Sequence, residues 1–503
     1  MKITITTIKD DIYMTNNSEI NRYYSRPLDV HRWSDHPEAK KIVHTIWSEY
    51  YSDSYPESGQ GNKASSSRRK QFKVLLLDLY VAWLEDPQLS IGVGMSKSAY
   101  KAKSRYNALY ISYLIVEMVR HGHHQGLIDL KKGSEDSKTT TRIRATAKLQ
   151  EYFKHANLDL LDFTRHSGQE TIILKIKDEG DDKAHPIAYM DSDFADIPQM
   201  RQEMNQYNAL LHMTFIDIPT LKEPLICKES SADEPVSITH DKKFVRRIFY
   251  RGNWKLGGRF HGGWWQNIGE DWRKQIYINN ESTIEQDYSG LHVNLLYGLQ
   301  GLQPLKDPYS LDLDYGLSAV EQRTVVKGLV LISINASSAK SAFNAFRLDQ
   351  PRGSKAKHFT NDFLDRLLTA FKKKHPRIES SLCSDKGVEL MNIDGRITAK
   401  VINHFTAKNI PVLTIHDSYI TQNKYTGELK EVMNKATLEE LNGYKINIDQ
   451  DGIGLDQIQA FRNLDRTNAN DFSYDLIPSY EHTEEYKKRM NRHKQWLKEV
   501  HKA

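Results

Sequence analysis

Three stretches of the 503-residue chain carry side chains whose type and spacing suit chemistry on phosphates. The first runs Ile284-Glu285-Gln286-Asp287-Tyr288-Ser289-Gly290-Leu291-His292. A strand-like run ends on a carboxylate, a small Ser-Gly step follows, and an apolar helix-like run begins, which puts Asp287 at a strand tip. The second is Arg323-Thr324-Val325-Val326-Lys327. Cations at i and i+4 share one face of a helix and would meet a triphosphate together. The third runs from Ile410 to Ile420, an apolar β run with His416-Asp417-Ser418 at its turn. It reads as a hairpin with a second carboxylate at its tip. A lone Asp at a strand end is usually a turn or helix cap. Acid, cation pair and acid in that order suit two-metal phosphoryl transfer. Asp287 and Asp417 would hold two Mg²⁺ ions, with Mn²⁺ as a substitute, and Arg323 and Lys327 would neutralise the triphosphate.

The trio resembles motifs A, B and C of the DNA polymerase I family (family A) and of the related single-subunit, phage-type RNA polymerases. The likeness extends upstream. Gly257-Gly258-Arg259-Phe260, then Trp265-Gln266-Asn267-Ile268, then Arg273 and Ile276 resemble the GR…QNI…R…I segment that precedes motif A in that DNA polymerase family. Together these stretches cover roughly residues 245 to 421, about a third of the chain. The resemblance implies an α+β fold with a right-hand palm and compact helical fingers. It implies a metal-dependent nucleotidyltransferase that takes a nucleic-acid template, a primer and nucleoside triphosphates. Arg259, Gln266 and Arg273 would lie along the strand, and His416 would steady the hairpin or the primer end. The chain departs from the family in three places. It has His416-Asp417-Ser418 where family A usually has HDE. Asn335 stands eight residues after Lys327, where both groups usually carry Tyr. His292 stands five residues after Asp287, where family A has Glu. The last two bear on sugar selection, and they conflict. A ring at His292 can bar a 2′-hydroxyl, whereas the Asn335 amide can bond one. A DNA product is expected, with an RNA product as the alternative.

Other elements must position these residues. Residues 1–70 read as an arm and linker, with Ser65-Ser66-Ser67-Arg68-Arg69-Lys70 closing it. Residues 71–165 read as helix, strand, helix, β-hairpin and helix, an order that resembles a winged helix. Their second helix is expected over about 103–121, and their hairpin over 127–131 and 139–143. Lys131, Lys132, Lys138, Arg142 and Arg144 would place charge on or beside the wing, suited to phosphates. Residues 166–240 read as a mixed connector and 241–470 as palm and fingers. Within 241–280 cations and rings interleave, including Arg246, Arg247, Phe249, Arg251, Trp254, Trp264 and Trp265. Such a stretch either follows a nucleic-acid strand or forms an aromatic core with snorkelling Arg. Residues 387–409 read as a helix beneath the third stretch, and 471–503 as a basic helical tail.

Composition narrows the class. Hydrophobic content of 39% and charged content of 27% fit a globular protein, and the net charge of +5 permits nucleic-acid binding without demanding it. Cys227 and Cys383 are the two cysteines, which argues against a disulfide framework or a Cys-rich zinc site and suits a reducing cytoplasm. The N-terminal run lacks a signal-peptide core, and no apolar run approaches the roughly 20 residues that span a bilayer, so no membrane role is expected. A P-loop is absent, as is an upstream constellation of nuclease carboxylates, so neither ATP-driven unwinding nor proofreading is expected. The leading expectation is a template-directed nucleic-acid polymerase, with its oligomeric state open. A template-independent end-extending transferase and a non-catalytic nucleic-acid binder remain as rivals.

Overall fold

The computed structural model describes residues 19–55, 62–100, 103–134, 139–178, 183–226, 235–303, 307–311, 316–464, 477 and 479–500. The chain is mixed α+β and divides into two units. Among the described residues, unit 1 takes 19–170 with 239–241, and unit 2 takes the remainder. Lys101, Lys138 and Cys227 lie outside the described residues, as do most of the acidic turn at 178–182 and residues 465–476.

Unit 1 is built from β1 (Ser25–Pro27), α1 (Pro37–Ile46), α2 (Asn62–Glu85), β2 (Ser90–Val93), α3 (Leu114–His124), β3 (Ile128–Lys131), β4 (Thr141–Ala145) and α4 (Ala147–His155). The sheet order is β1-β2-β4-β3, with β1 parallel to β2 and the other pairs antiparallel. Residues 19–55 are not an arm. Ala39, Ile42, Val43 and Ile46 recur at helical spacing, and with Trp47 and Tyr51 they enter the same core as Phe72, Leu75 and Leu79 of α2. Nor is 65–70 a linker, since α2 already runs through it. Arg32, fully buried, donates to Asp78 at 3.2 Å and to Asp241 at 3.0 Å, which binds the short 239–241 segment into this unit.

The expected helix over 103–121 starts only at Leu114. The Asn107 side chain explains the delay. Its amide donates to the Ile111 carbonyl and its oxygen accepts the Ile111 N–H, both at 2.8 Å, closing a loop that competes with helix. Tyr110 within that loop has φ 54°.

Unit 2 contains β5 (Ile172–Ile176), α5 (Ile197–Met213), β6 (Ile216–Asp217), β7 (Arg246–Tyr250), β8 (Asn253–His261), β9 (Tyr277–Ile278), β10 (Glu281–Tyr288), α6 (Leu291–Gly298), α7 (Ala319–Asn335), α8 (Ala339–Asp349), α9 (Asn361–Lys374), α10 (Gly387–Ala407), β11 (Val412–Ile415), β12 (Ser418–Gln422), α11 (Thr426–Glu440), β13 (Ile448–Gln450), α12 (Leu455–Leu464) and α13 (Glu484–Val500). Of the expected connector, described residues 171–178, 183–226 and 235–238 are part of this unit, while 166–170 and 239–240 belong to unit 1. Strand β5 runs parallel to β7, which pairs antiparallel with β8, while β6 joins the sheet ordered β11-β12-β10-β9-β6. Strand β10 is the pivot, with β12 on one side and β9 and then β13 on the other. Helices α6, α7, α9, α10 and α11 bury their apolar faces in one core, to which Leu295, Val330, Leu367, Ile397 and Leu429 contribute. The basic tail is docked rather than loose. Tyr486, His493 and Trp496 of α13 are buried, and Arg489 grips Asp217 at 2.7 and 3.1 Å. Among the described residues no helix is long and apolar enough to cross a membrane.

Candidate active site

Strand β10 alternates, so Ile284, Gln286 and Tyr288 are buried while Glu285 and Asp287 share the opposite face. Five register pairs tie β10 to β12, ending at Asp287 opposite Ser418. Strands β11 and β12 close at Ile415 and Ser418, leaving His416-Asp417 as the hairpin tip, with His416 at φ 51°. The Tyr288 N–H donates to the Asp417 carbonyl at 3.2 Å. The two acids thus stand at adjoining strand ends. Gly290, at φ 57°, then turns the chain into α6 within two residues, a conformation that a Cβ would strain.

The electrostatics of this tip are unfavourable as they stand. Burial pushes the Asp287 carboxyl up to about 7, Asp417 adds to the rise, and Lys327 pulls the other way. Asp287 Oδ1 is buried with no hydrogen-bond partner. Glu285 on the same face is already engaged. It accepts from Arg273 at 2.9 and 3.2 Å and from the Ser418 hydroxyl at 2.6 Å. Across the other edge of β10, Asp449 of β13 sits directly opposite Asp287 and also raises its pKa. Like charges directly opposite each other are destabilising in a sheet. Among the described residues no three His, Cys, Asp or Glu side chains form a ready-made metal site. That donor set still fits Mg²⁺, which is held by one or two carboxylates and completes its shell with water and substrate phosphates. The orphaned Asp287 oxygen beside Asp417 is the opening such an ion would fill.

Helix α7 begins with a capping box, Ser318 and Glu321 satisfying each other's backbone N–H groups. One turn in, Arg323 is half-exposed and pairs with Asp307 at 2.9 Å. Lys327 follows on the same face and acts electrostatically on Asp287. Asn335 is the last residue of α7, about 12 Å along the axis from Lys327. Its Nδ2 donates to the Leu331 carbonyl at 2.8 Å, and a Cβ on Gly387 would lie 1.8 Å from its Oδ1. The Asn335 side chain is packed there as a helix-end contact.

Gln266 ties the hairpin to its surroundings. It donates to the Thr414 carbonyl at 2.9 Å and the Phe260 carbonyl at 3.1 Å, beside the Trp265 indole, which also donates to Thr414. Trp264 and Trp265 are buried, so this part of the basic-aromatic stretch is core. Arg259 on β8 pairs with Asp394 of α10 and reaches the His292 Nε2 at 3.4 Å. Burial, then Arg259 and His416, push the His292 imidazole down to about 4. His261 and His416 meet edge to face at 5.5 Å between ring centroids. Burial, then the charges of its neighbours, lowers the His261 imidazole to about 4, and burial with Arg259 lowers that of His416 against the opposing pull of Asp417. Asp394 is fully buried. Burial raises its pKa to about 6 against the pull of Arg259, and Asp417 raises it further. Asp394 and Asp449 lie outside the stretches that residue type and spacing single out. The available signal for Asp394 was a charged residue inside the apolar run of α10, which must be paired if buried.

The wing cations are placed differently. Arg142 of β4 donates to the Arg22 carbonyl at 3.2 Å and to the Ser25 hydroxyl at 2.7 Å. Arg144, with its side chain 12% exposed, pairs with Asp129 at 3.4 Å. Both are occupied within unit 1, where they join its N-terminal segment and hairpin to the sheet.

No protein-family model matches the chain, and no curated protein matches it. Among solved structures it is similar to the POL domain of Pol1 from M. smegmatis in complex with DNA primer-template and dNTP. The identity is 11% and the TM-score 0.27, over 39% of this chain and 46% of that one, so the chain spans less than half of that chain's length.

Proposed function

We propose that the chain is a template-directed nucleic-acid polymerase, with deoxynucleoside triphosphates as its substrates. One observation carries the reading. Asp287, with a buried unpartnered oxygen, stands beside Asp417 at adjoining strand tips, and Lys327 of α7 acts on it. Asp287 and Asp417 would hold two Mg²⁺ ions. When bound, these supply Lewis acidity toward the 3′-hydroxyl and the leaving pyrophosphate. Lys327 binds the triphosphate and offsets charge as it builds on the leaving oxygens. Arg323 joins it by exchanging Asp307 for phosphate, since a half-exposed ion pair holds by only about 0–1 kcal/mol. His416, at the hairpin tip, steadies the primer end. Arg259 faces the nucleic-acid strand from β8, while Gln266 and Arg273 hold β11 and β10 in place behind it. His292, the second residue of α6, would set its ring to crowd a 2′-hydroxyl.

Unit 1, with its helix, strand, helix and hairpin, acts as a winged-helix-like module that contacts duplex. The deciding experiment is primer extension with dNTPs or NTPs, with and without template, by the wild type and by Asp287→Ala and Asp417→Ala. Template-copying that both variants lose supports the reading. Extension without template assigns an end-extending transferase. Nucleic-acid binding with no incorporation assigns a non-catalytic binder.

A further inference from the structure

Asp394 lies in the middle of α10 with no exposure to solvent, and its carboxylate receives the Arg259 Nε–H. The Arg259 Nη2 points on to the His292 Nε2 at 3.4 Å. A guanidinium carries donors only, so the His292 nitrogen facing it presents its lone pair. The pair is mounted rigidly. A Cβ on Gly395 would lie 2.4 Å from the Gly258 carbonyl, so α10 and β8 touch backbone to backbone just beside Asp394 and Arg259. Buried Arg247 clamps that contact, donating to the carbonyls of Gly258 at 3.0 Å and Gly395 at 3.4 Å. The Asn392 amide adds a bond to the Gly257 carbonyl at 3.1 Å. The His ring, by contrast, turns on a broad terminal torsion and needs a partner to fix it.

We propose that Asp394 is a positioning residue for sugar selection: it fixes the plane of Arg259, which fixes the His292 ring beside the incoming nucleotide. The inference rests on the polymerase reading and adds a determinant that lies on a different element from the gate itself. The competing role for Asp394 is a structural ion pair that only joins α10 to β8.

A double-mutant cycle separates the two roles. On a primed template, kcat/KM is measured for dNTP and for NTP with the wild type, Asp394→Asn, His292→Ala and the double variant. Asp394→Asn should lower the dNTP:NTP ratio at least threefold, and should lower it no further when His292 is already Ala. Equal losses on both substrates, or the same fall in the His292→Ala background, would overturn the proposal. Should Asp394→Asn not fold, Arg259→Gln cuts the same relay at its middle link and is read by the same cycle in the dNTP:NTP ratio, which a lost strand contact common to both substrates leaves unmoved. A wild type that incorporates neither nucleotide defeats the polymerase reading itself. An active wild type whose ratio Asp394→Asn leaves unmoved defeats the Asp394 assignment alone.

Discussion

Asp287 occupies a position that costs the fold something. A carboxylate half-buried beside Asp417 and opposite Asp449 is worse off than in water. Asp287→Asn removes the repulsion and keeps the shape, so it should raise the thermal midpoint by about 1 °C, the equivalent of about 1 kcal/mol for a unit of this size. The same change, like Asp287→Ala or Asp417→Ala, should cut incorporation by about a thousandfold or more, roughly 4 kcal/mol of barrier. Calorimetry and primer extension on one preparation check both halves. Opposite signs in the two assays are expected of a residue kept for function at the expense of stability. His292 makes a second expectation at this scale. His292→Ala opens space at the start of α6 and should raise NTP use about tenfold, equivalent to about 1.4 kcal/mol of discrimination. Single-nucleotide incorporation rates with each sugar measure it.

At the scale of elements, the contact between α10 and β8 sets where Arg259 and Asp394 meet. Gly395→Ala would drive a methyl into the Gly258 carbonyl, with nothing flexible to give way. It should destabilise by about 1–3 kcal/mol, the usual range for overpacking, read from a denaturant midpoint. Helix α13 offers a test by pH. His212 of α5 and His493 of α13 both pack against Trp496, and burial pushes each imidazole down to about 4. An unfolded His titrates near 6.5, so between about 6.5 and 4 the unfolded chain binds more protons than the folded one. Stability is then whole above about pH 6.5 and falls as the pH drops toward 4. His212→Asn should flatten that fall, by an amount on the order of 2 kcal/mol at the acid end. Thermal midpoints across that window check the slope.

For the molecule as a whole, the proposed reading gives duplex contact to unit 1 and chemistry to unit 2. Arg142 and Arg144 are not expected to carry that contact. Their intramolecular partners predict that Arg142→Gln with Arg144→Gln lowers unit 1 stability by about 1 kcal/mol and leaves the salt dependence of duplex binding unchanged. A log-log slope lowered by about 1 per residue would instead put them on phosphates. Much of unit 2 was legible because its signals are local. A strand ending on Asp287 and a hairpin tip at His416-Asp417 each lie within a few residues of chain. What stayed hidden depends on partners far away in sequence. Asp449 faces Asp287 only through the β10–β13 ladder. Asp394 meets Arg259 across 135 residues. Residues 19–55 looked like an arm because the groups that bury Trp47 and Tyr51, such as Phe72 and His121, come later in the chain. The helix expected at 103 was lost to one Asn side chain, a competition that apolar spacing does not report.

The grip of Arg489 on Asp217 spans 272 residues, and it has a consequence during synthesis. A ribosome adding about 5–20 residues per second needs roughly a quarter of a minute to a minute to make that interval. Until α13 emerges, Phe215 lacks the Tyr486 and His493 rings that pack on it, and Asp217 lacks its cation. The nascent chain therefore carries a sticky, half-finished sheet edge through most of its translation. Its yield should depend on chaperones and on growth temperature.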